Sequence, residues 1–325
     1  MQITTLIPAY KPAYLAELLA CLRHQTLKPA RVLVSDDSPD QAFVAALSQE
    51  PLKSLVADLH IEVFPGPRRG GYNNFRQLLW RFRQQPTELF HFLLDDDVIY
   101  PAFYARHAMA HGSGEPLCVV SRRWTALEGG LPVRDLPVPA AVDQHPQRLL
   151  ALDATLLFRH TAGSSANWLG ELSNATFRAE AAESLDQARL AGLSYAGLED
   201  LGAFLVNSLK RPLGYINEHL GFFRTSSQQN SANPMGRPLK LAHLAYVALT
   251  LAGRDVGVLS ADECAQNLAR LCPLIAQRYG GEADMAALCE TMPALARHEA
   301  AAEQQFRALW ADYSGASHMP PVPLV

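Results

Sequence analysis

The sequence predicts an α/β fold: a Rossmann-like, mostly parallel sheet flanked by helices, with a C-terminal helical appendage. Three observations predict it. Short apolar runs alternate with segments of helical apolar spacing over residues 1–121. Acidic, glycine-rich or proline-rich stretches follow one strand after another. Beyond residue 238 the chain turns Ala- and Leu-rich, with helical spacing to about Tyr313.

Taken in order, "ITTLIP" reads as a strand and "AYLAELLACLRHQ" as a helix. "RVLVS" is a strand, and "DQAFVAALSQ" a helix with Asp40 as its expected N-cap. "HIEVFP", "LFHFLL" and "PLCVVS" are strands, separated by the helices "YNNFRQLLWRFRQQ" and "AFYARHAMAH". Strands followed by helices at this rhythm argue a doubly wound sheet, whose ligands bind at the carboxyl ends of the strands. Residues 122–150 are rich in Pro, Gly and Arg and weakly periodic, which predicts a loop beside that edge. "LDATLLF" resumes strand character, and "TAGSSANWLGELSNATF" is polar. "RAEAAESLDQARLAG" and "GLEDLGAFLVNSLKR" read as helices, and "PLGYINEHLGFFRTS" as short strand or hairpin pieces. The tail "HMPPVPLV" reads as loose. The expected division is a catalytic domain over 1–237, with halves 1–121 and 122–237, and a helical region over 238–325.

The 325 residues suffice for a sizeable core, and 49% hydrophobic against 18% charged residues excludes a disordered chain. A net charge of −4 gives no basic footprint for nucleic acid. The five cysteines are odd in number and scattered without a CxxC pair, so they read as small core residues in a reducing compartment. "MQITTLIPAYKP" has no signal-peptide pattern. The apolar run 241–253 contains His243 and is shorter than the ~20 residues a membrane span needs. A cytoplasmic location follows, with peripheral contact at the inner face of a membrane left open.

The chemistry collects at strand ends. "HFLLDDDVIYP" runs a strand into Asp95, Asp96 and Asp97. Adjacent carboxylates are costly unless a cation offsets them, and Mg²⁺ or Mn²⁺ takes oxygen ligands and bridges to phosphates. The alternative is a solvated acidic turn. Pro8, Ala9 and Tyr10 end the first strand, where the Tyr10 ring is suited to stack on a base. Asp36 and Asp37 end the second, as acceptors for a base or ribose, or simply as turn residues. "GPRRGGYNN", with Arg69 and Gly71, puts cations and small residues before a helix N-terminus, a setting for an anion.

In this order and spacing the motifs resemble the family 2 glycosyltransferases of the GT-A fold, over about residues 2–231. The family has a Pro-x-Tyr end to the first strand, an acidic end to the second, and an Asp-rich end to the fourth with a proline four residues on. Asp97 and Pro101 match that spacing. "GPRRGGYNN" and "LLDDDV" look closest to the galactofuranosyl- and rhamnosyltransferase-like branch. The resemblance implies inverting, metal-dependent transfer from a nucleoside-diphosphate sugar (UDP, dTDP or GDP) to a glycan, glycolipid or glycoprotein hydroxyl. It implies Asp36, Asp37, Asp95 and Asp96 on the nucleotide, and Asp97 with His219 on Mn²⁺ or Mg²⁺. In "GLEDLGAFL" it implies Asp200 as catalytic base beside Glu199. "SNATFR", with Asn174, resembles the segment lining the acceptor side. Trp168 and Glu171 lie in the polar stretch that would face the sugars. "FFRTSSQQNS" resembles the loop that closes over the diphosphate, with Arg224 as its cation or as a structural ion pair. Lys11 stands where many relatives carry asparagine, and "DDSPD" lacks the common glycine. The C-terminal helices are expected to bind an acceptor, to mediate oligomerisation, or only to brace the catalytic domain. Two rivals are a nucleotidyltransferase, against which "PAYKPAY" lacks a glycine run, and a catalytically silent binding relative. A dinucleotide-dependent oxidoreductase is excluded by the absent GxGxxG turn.

Overall fold

The computed structural model describes residues 1–225 and 233–315, in two compact units. The first comprises residues 1–152, 168–186 and 210–226, and the second 153–167, 187–209 and 227–325. The division therefore threads through the chain rather than falling at residue 237. The acidic pair Glu199–Asp200 belongs with the C-terminal helices.

The strands are β1 (Ile3–Ala9), β2 (Arg31–Asp36), β3 (Ile61–Pro65), β4 (Leu89–Phe92), β5 (Val98–Ile99), β6 (Cys118–Ala126), β7 (Pro132–Arg134), β8 (Leu149–Leu152), β9 (Ala175–Arg178), the short pair β10 (Arg189–Leu190) and β11 (Leu193–Ser194), and β12 (Leu213–Arg224). All but β10 and β11 form one large sheet in the first unit, in the order β3-β2-β1-β4-β9-β6-β12-β5, with β7 on β6 and β8 on β12. It is parallel through β3, β2, β1 and β4, and again between β6 and β12. β9 runs antiparallel between β4 and β6. All seven residues of β1 are buried, as a central strand covered on both faces requires. Helix α1 (Leu15–Arg23) buries Leu15, Leu18, Leu19 and Leu22, one stripe at helical spacing. Helices α2 (Ala42–Leu47), α3 (Leu52–Leu55), α4 (Gly71–Gln84) and α5 (Phe103–Gly114) follow the expected rhythm.

Five expectations are corrected. Asp40 does not cap α2; its φ is 52°. The donors are met instead by the Ser38 hydroxyl, which accepts from Phe43 N at 3.0 Å, and by Asp36 Oδ2, which accepts from Val44 N at 3.0 Å. Residues 122–150 are not one loop. β6 continues to Ala126 and pairs with β7, α6 (Ala140–Asp143) follows, and Arg122 ties the segment together through Asp135, Asp143 and Asn217. "LDATLLF" is a strand only to Leu152. Asp153 then accepts from Leu156 N at 2.8 Å and opens helix α7 (Ala154–His160). "PLGYINEHLGFFR" is one central strand, β12. Its register slips on either side of His219, so the alternation that marks a strand is broken there. The helix expected over "RAEAAESLDQARLAG" shrinks to α8 (Ala182–Gln187) after a short 3-10 turn.

The second unit contains α7, α9 (Glu199–Ser208), α10 (Arg237–Asp255), α11 (Ala261–Tyr279), α12 (Ala286–Ala296) and α13 (Ala300–Gly315). Residues 241–253 are its core, with Leu244, Ala245, Val247 and Leu251 fully buried. No helix among the described residues is long and apolar enough to cross a membrane. Asn267 joins two of its parts by donating to Ala162 O and Thr250 Oγ1, both at 2.7 Å. Gly197, at φ 93°, lies so close to α10 that a Cβ would fall 2.7 Å from Ala242 N.

Candidate active site at the strand ends

The carboxyl ends of β1, β2 and β4 are tied together by their backbones. Pro8 pairs with Ser35 and Ala9 with Asp36, and Ala9 O accepts from Asp37 N at 2.9 Å. Leu93 N donates to Leu6 O, which brings the β4 terminus beside β1. The triple aspartate then turns away from the sheet, and each carboxylate meets a different partner.

Asp95 Oδ2 accepts the backbone N–H groups of Tyr10 and Lys11, both at 2.5 Å. Burial pushes its carboxyl up to about 6 even against these bonds. Asp96 Oδ2 takes the Lys11 ammonium at 2.6 Å. Burial lowers the Lys11 pKa, but the Asp96 bond and charge, with Asp95 behind them, outweigh it and raise the ammonium above its usual value. Asp97 is 1% exposed. Its Oδ1 accepts from Arg224 N at 3.0 Å, while its Oδ2 is buried with no hydrogen-bond partner among the described residues. Burial, then the charge of Asp96, raises its carboxyl well above the usual range, against the Ser173 hydroxyl and the Arg224 N–H, which favour its charged form. A buried acceptor of this kind calls for a physical explanation, and a hard cation is one partner that suits it.

Around the turn, the Tyr10 ring is 56% exposed and open to a flat partner. Asp37 Oδ1 accepts from Arg68 N at 2.5 Å. Gly66 packs on Asp36 and Asp37. A Cβ there would fall 2.5 Å from Asp37 Oδ1 and 2.8 Å from Asp37 N. Gly70, at φ 85°, precedes α4, and Gly70 and Gly71 both face open space. Arg69 is exposed beside them. The arrangement offers an accessible helix N-terminus with free backbone approach.

Several expected residues have other work. Asp36 is 2% exposed; its Oδ1 accepts from Ser38 N and Oγ while its Oδ2 caps α2, so it shapes the loop rather than facing a base. Arg224 is engaged within the chain. Its guanidinium pairs with Glu17 and donates to the carbonyls of Asp96 and Glu128, and it lies over the Tyr14 ring at 4.3 Å. His219 is held away from Asp97. Its ring stacks on Trp124 at 3.7 Å with planes 5° apart, and its Nε2 lies 3.0 Å from Asp135 Oδ1, off the line of a hydrogen bond. Across the ladder His219 faces Arg122 and Arg224 faces Ala126, four residues on along β6, a rise of about 13 Å. Burial works against the Asp135 charge, but His219, Leu136 N–H and Arg122 outweigh it and lower that carboxyl. Among the described residues no three His, Cys, Asp or Glu side chains gather as a metal cage.

Trp168 is 1% exposed and meets Tyr215 edge-on at 5.6 Å, so it is core rather than a platform for a sugar. Asn174 spends its side chain on the turn, with Oδ1 accepting from Glu171 N and Nδ2 donating to Ser121 O and Leu169 O. Glu171 is gripped by Arg123 at 2.8 and 2.5 Å. Both line a shallow cleft with Val98, Phe103, Ser173 and Phe222. In the second unit, Asp200 opens α9 and accepts from Leu201 N at 2.7 Å. Glu199 accepts from Gly197 N at 3.0 Å, and burial raises its carboxyl. Residues 226–232, the greater part of the expected closing loop, lie outside the described residues, as do residues 316–325.

Sequence reasoning missed the structural parts of Lys11, Gly66, Arg123 and Ser173. Gly66 carried a signal: it stands between two prolines ahead of the arginines in "FPGPRRGG".

No protein-family model matches the sequence, and no curated protein matches it. Solved structures do. The chain superposes on residues 1–349 of S. aureus TarS in complex with UDP-GlcNAc at TM-score 0.55 and 12% identity, covering 98% of this chain and 93% of that one. The same fragment in complex with UDP gives 0.52 and 12%, over 99% and 95%. S. aureus TarS in a longer form gives 0.53 and 13%, over 96% of this chain and 55% of that one. At such identities the likeness establishes the fold. The chain has the GT-A type of architecture, a large sheet flanked by helices, and the match runs through its C-terminal helices.

Proposed function

We propose that the chain is an inverting, metal-dependent glycosyltransferase acting on a nucleoside-diphosphate sugar, with family 2 and its galactofuranosyl- and rhamnosyltransferase-like branch as the finer placement. The observation that carries the reading is the unpartnered, buried Asp97 Oδ2, at the end of β4 in a fold of this type. A hard oxygen with no donor fits Mn²⁺ or Mg²⁺. Asp97 would hold the ion, with phosphate oxygens and water completing its shell, since His219 is engaged elsewhere. When bound, such an ion offsets the charge that grows on the departing nucleoside diphosphate.

The chain's own groups would do the rest. Tyr10 would stack on the base, and Asp37 and Asp95 would border the nucleoside. Arg69 and the open α4 N-terminus at Gly71 would face the phosphates. Glu171, fixed by Arg123, is the acid presented to a sugar hydroxyl. Asp200 would take the acceptor's hydroxyl proton. The acceptor oxygen then bonds to the anomeric carbon as the carbon–phosphate oxygen bond breaks on the opposite face, which inverts the configuration. UDP is the first donor nucleotide to try, because the matched TarS structures are complexes with UDP-GlcNAc and with UDP.

The test is thermal unfolding against UDP, dTDP, GDP and CDP, each with Mn²⁺ and with EDTA. One nucleotide should stabilise the protein in a metal-dependent way. Asp97→Ala should lose that shift. Asp200→Ala should keep it while losing sugar transfer. Absence of a shift with all four nucleotides would overturn the reading.

A further inference from the structure

Three carboxylates stand in sequence at the β4 terminus, yet they are not equivalent. Asp95 is fixed by two backbone donors from the end of β1. Asp97 offers one free oxygen. Asp96, whose side chain is 9% exposed, is covered by a side-chain cation, the ammonium of Lys11, itself 24% exposed and 2.6 Å away. The other cation close to the turn, Arg224, is neutralised by Glu17 and spent on two carbonyls. Lys11 is thus a cation on a flexible stem beside this turn. Its own backbone N–H is anchored to Asp95, so its side chain can swing without the loop moving.

We propose that Lys11 is a built-in counter-cation of this turn, which occupies Asp96 in the nucleotide-free protein and transfers to the diphosphate when a nucleotide binds. The inference rests on the glycosyltransferase reading for the identity of the anion, but not for the role of Lys11 toward Asp96. Two consequences follow. In the free protein a divalent ion meets the unpartnered Asp97 oxygen and a neighbouring ammonium that repels it, so it binds weakly. A diphosphate supplies oxygen ligands and draws the ammonium away from Asp96, so nucleotide and metal assist each other. By linkage the assistance is equal in both directions.

The test measures free Mn²⁺ by electron paramagnetic resonance as each protein is titrated, with and without UDP. In the wild type, Mn²⁺ alone should bind weakly and UDP should strengthen it. Lys11→Met should bind Mn²⁺ alone about tenfold more tightly, and the gain from UDP should shrink. Lys11→Gln serves if the methionine variant fails to fold, and Lys11→Arg should restore weak binding. Asp97→Asn should abolish Mn²⁺ binding to the protein in every background, leaving the free-ion signal undiminished. Unchanged or weaker Mn²⁺ binding in Lys11→Met and Lys11→Gln overturns the proposal. If both tighten Mn²⁺ binding while no nucleotide has any effect, Lys11 keeps its role toward Asp96 and the glycosyltransferase reading falls instead.

Discussion

His91 and Asp97 lie six residues apart, both essentially buried, and their surroundings differ in kind. His91 belongs to a closed network beneath the strand ends. Its Nε2 faces Ser173 O at 3.0 Å and must donate, so its Nδ1 accepts from the Tyr104 hydroxyl at 2.9 Å, which in turn accepts from Thr5 Oγ1 at 2.6 Å. His111 donates from Nδ1 to Pro116 O and accepts from Thr176 Oγ1, which accepts from His107 Nδ1. His107 Nε2 is the one ring nitrogen of the three left without a partner. Asp97, in contrast, has half of its carboxylate unmet and its neighbours carry charge. The first region satisfies buried polar groups with neutral partners and so fixes one arrangement of the core. The second leaves an acceptor open, which costs stability unless something outside the chain fills it.

The sharpest way to test the contrast is pH. Burial drives His91 down to about 3 and His111 to about 4, and lowers His107 further than its usual range. A histidine with a depressed folded value binds more protons when unfolded, so its contribution is complete above pH 6.5 and is lost as pH falls towards the folded values. Each such histidine adds a slope of about 1.4 kcal/mol per pH unit. Asp95, raised to about 6, acts in the opposite sense, its contribution being present below the usual carboxylate value and lost as pH rises through about 6. Asp97 and Glu199, also raised by burial, act in the same sense as Asp95, so in urea titrations of nucleotide-free protein the histidine contribution is read as a difference between variants. His107→Leu, which removes the group with the unmet nitrogen, should make the acid limb shallower by about one proton's worth of slope. An acid limb equally steep in this variant would show that the histidines are not what makes the core acid-sensitive.

A second way to sharpen it is to break a charged partner that the strand-end region does satisfy. Arg224 is 2% exposed and binds Glu17 and two carbonyls with its guanidinium. Arg224→Met keeps the stem and removes every one of those donors, leaving the carbonyls of Asp96 and Glu128 short of a partner. A loss of about 3 kcal/mol is expected in chemical unfolding, with Asp97 Oδ1 still held by the backbone N–H of residue 224. Were the variant as stable as the wild type but unable to respond to nucleotide, Arg224 would be a phosphate ligand after all.

The layered architecture was legible because periodicity survives in α1, α4 and α5, and because β1 and β2 are short, mostly apolar or β-branched runs that end in turn residues. β12 was not legible, since its bulges around His219 break the alternation, and α7 hid behind an apolar run whose only cue was the Asp153 cap. The strand-end acids were visible as a cluster, but their division of labour was not. Asp36 looked like a ligand because a capping aspartate and a ligand aspartate look alike in a sequence. They separate only when the N–H groups of Ser38 and Val44 are seen to fill its oxygens. Arg224 and His219 were ambiguous for the same reason, each standing at a plausible spacing with its partner far away in sequence, at Glu17 and at Trp124 and Asp135.

The smallest expected effect tests that distinction at Asp36. If it only shapes the loop, Asp36→Asn should keep one acceptor oxygen and cost under about 1 kcal/mol, while Asp36→Ala should cost about 1–2 kcal/mol, as the loss of a helix cap does. The Ala variant frees the N–H of Val44 and the hydroxyl of Ser38, and the fault travels to Asp37, whose N–H is bonded to Ala9 O and whose carboxylate holds Arg68 N. Nucleotide affinity should therefore fall in Asp36→Ala in proportion to its stability loss, and recover in Asp36→Asn. A direct ligand would behave otherwise: Asp36→Asn would bind nucleotide poorly at undiminished stability, which calorimetry and urea unfolding on the same sample would reveal.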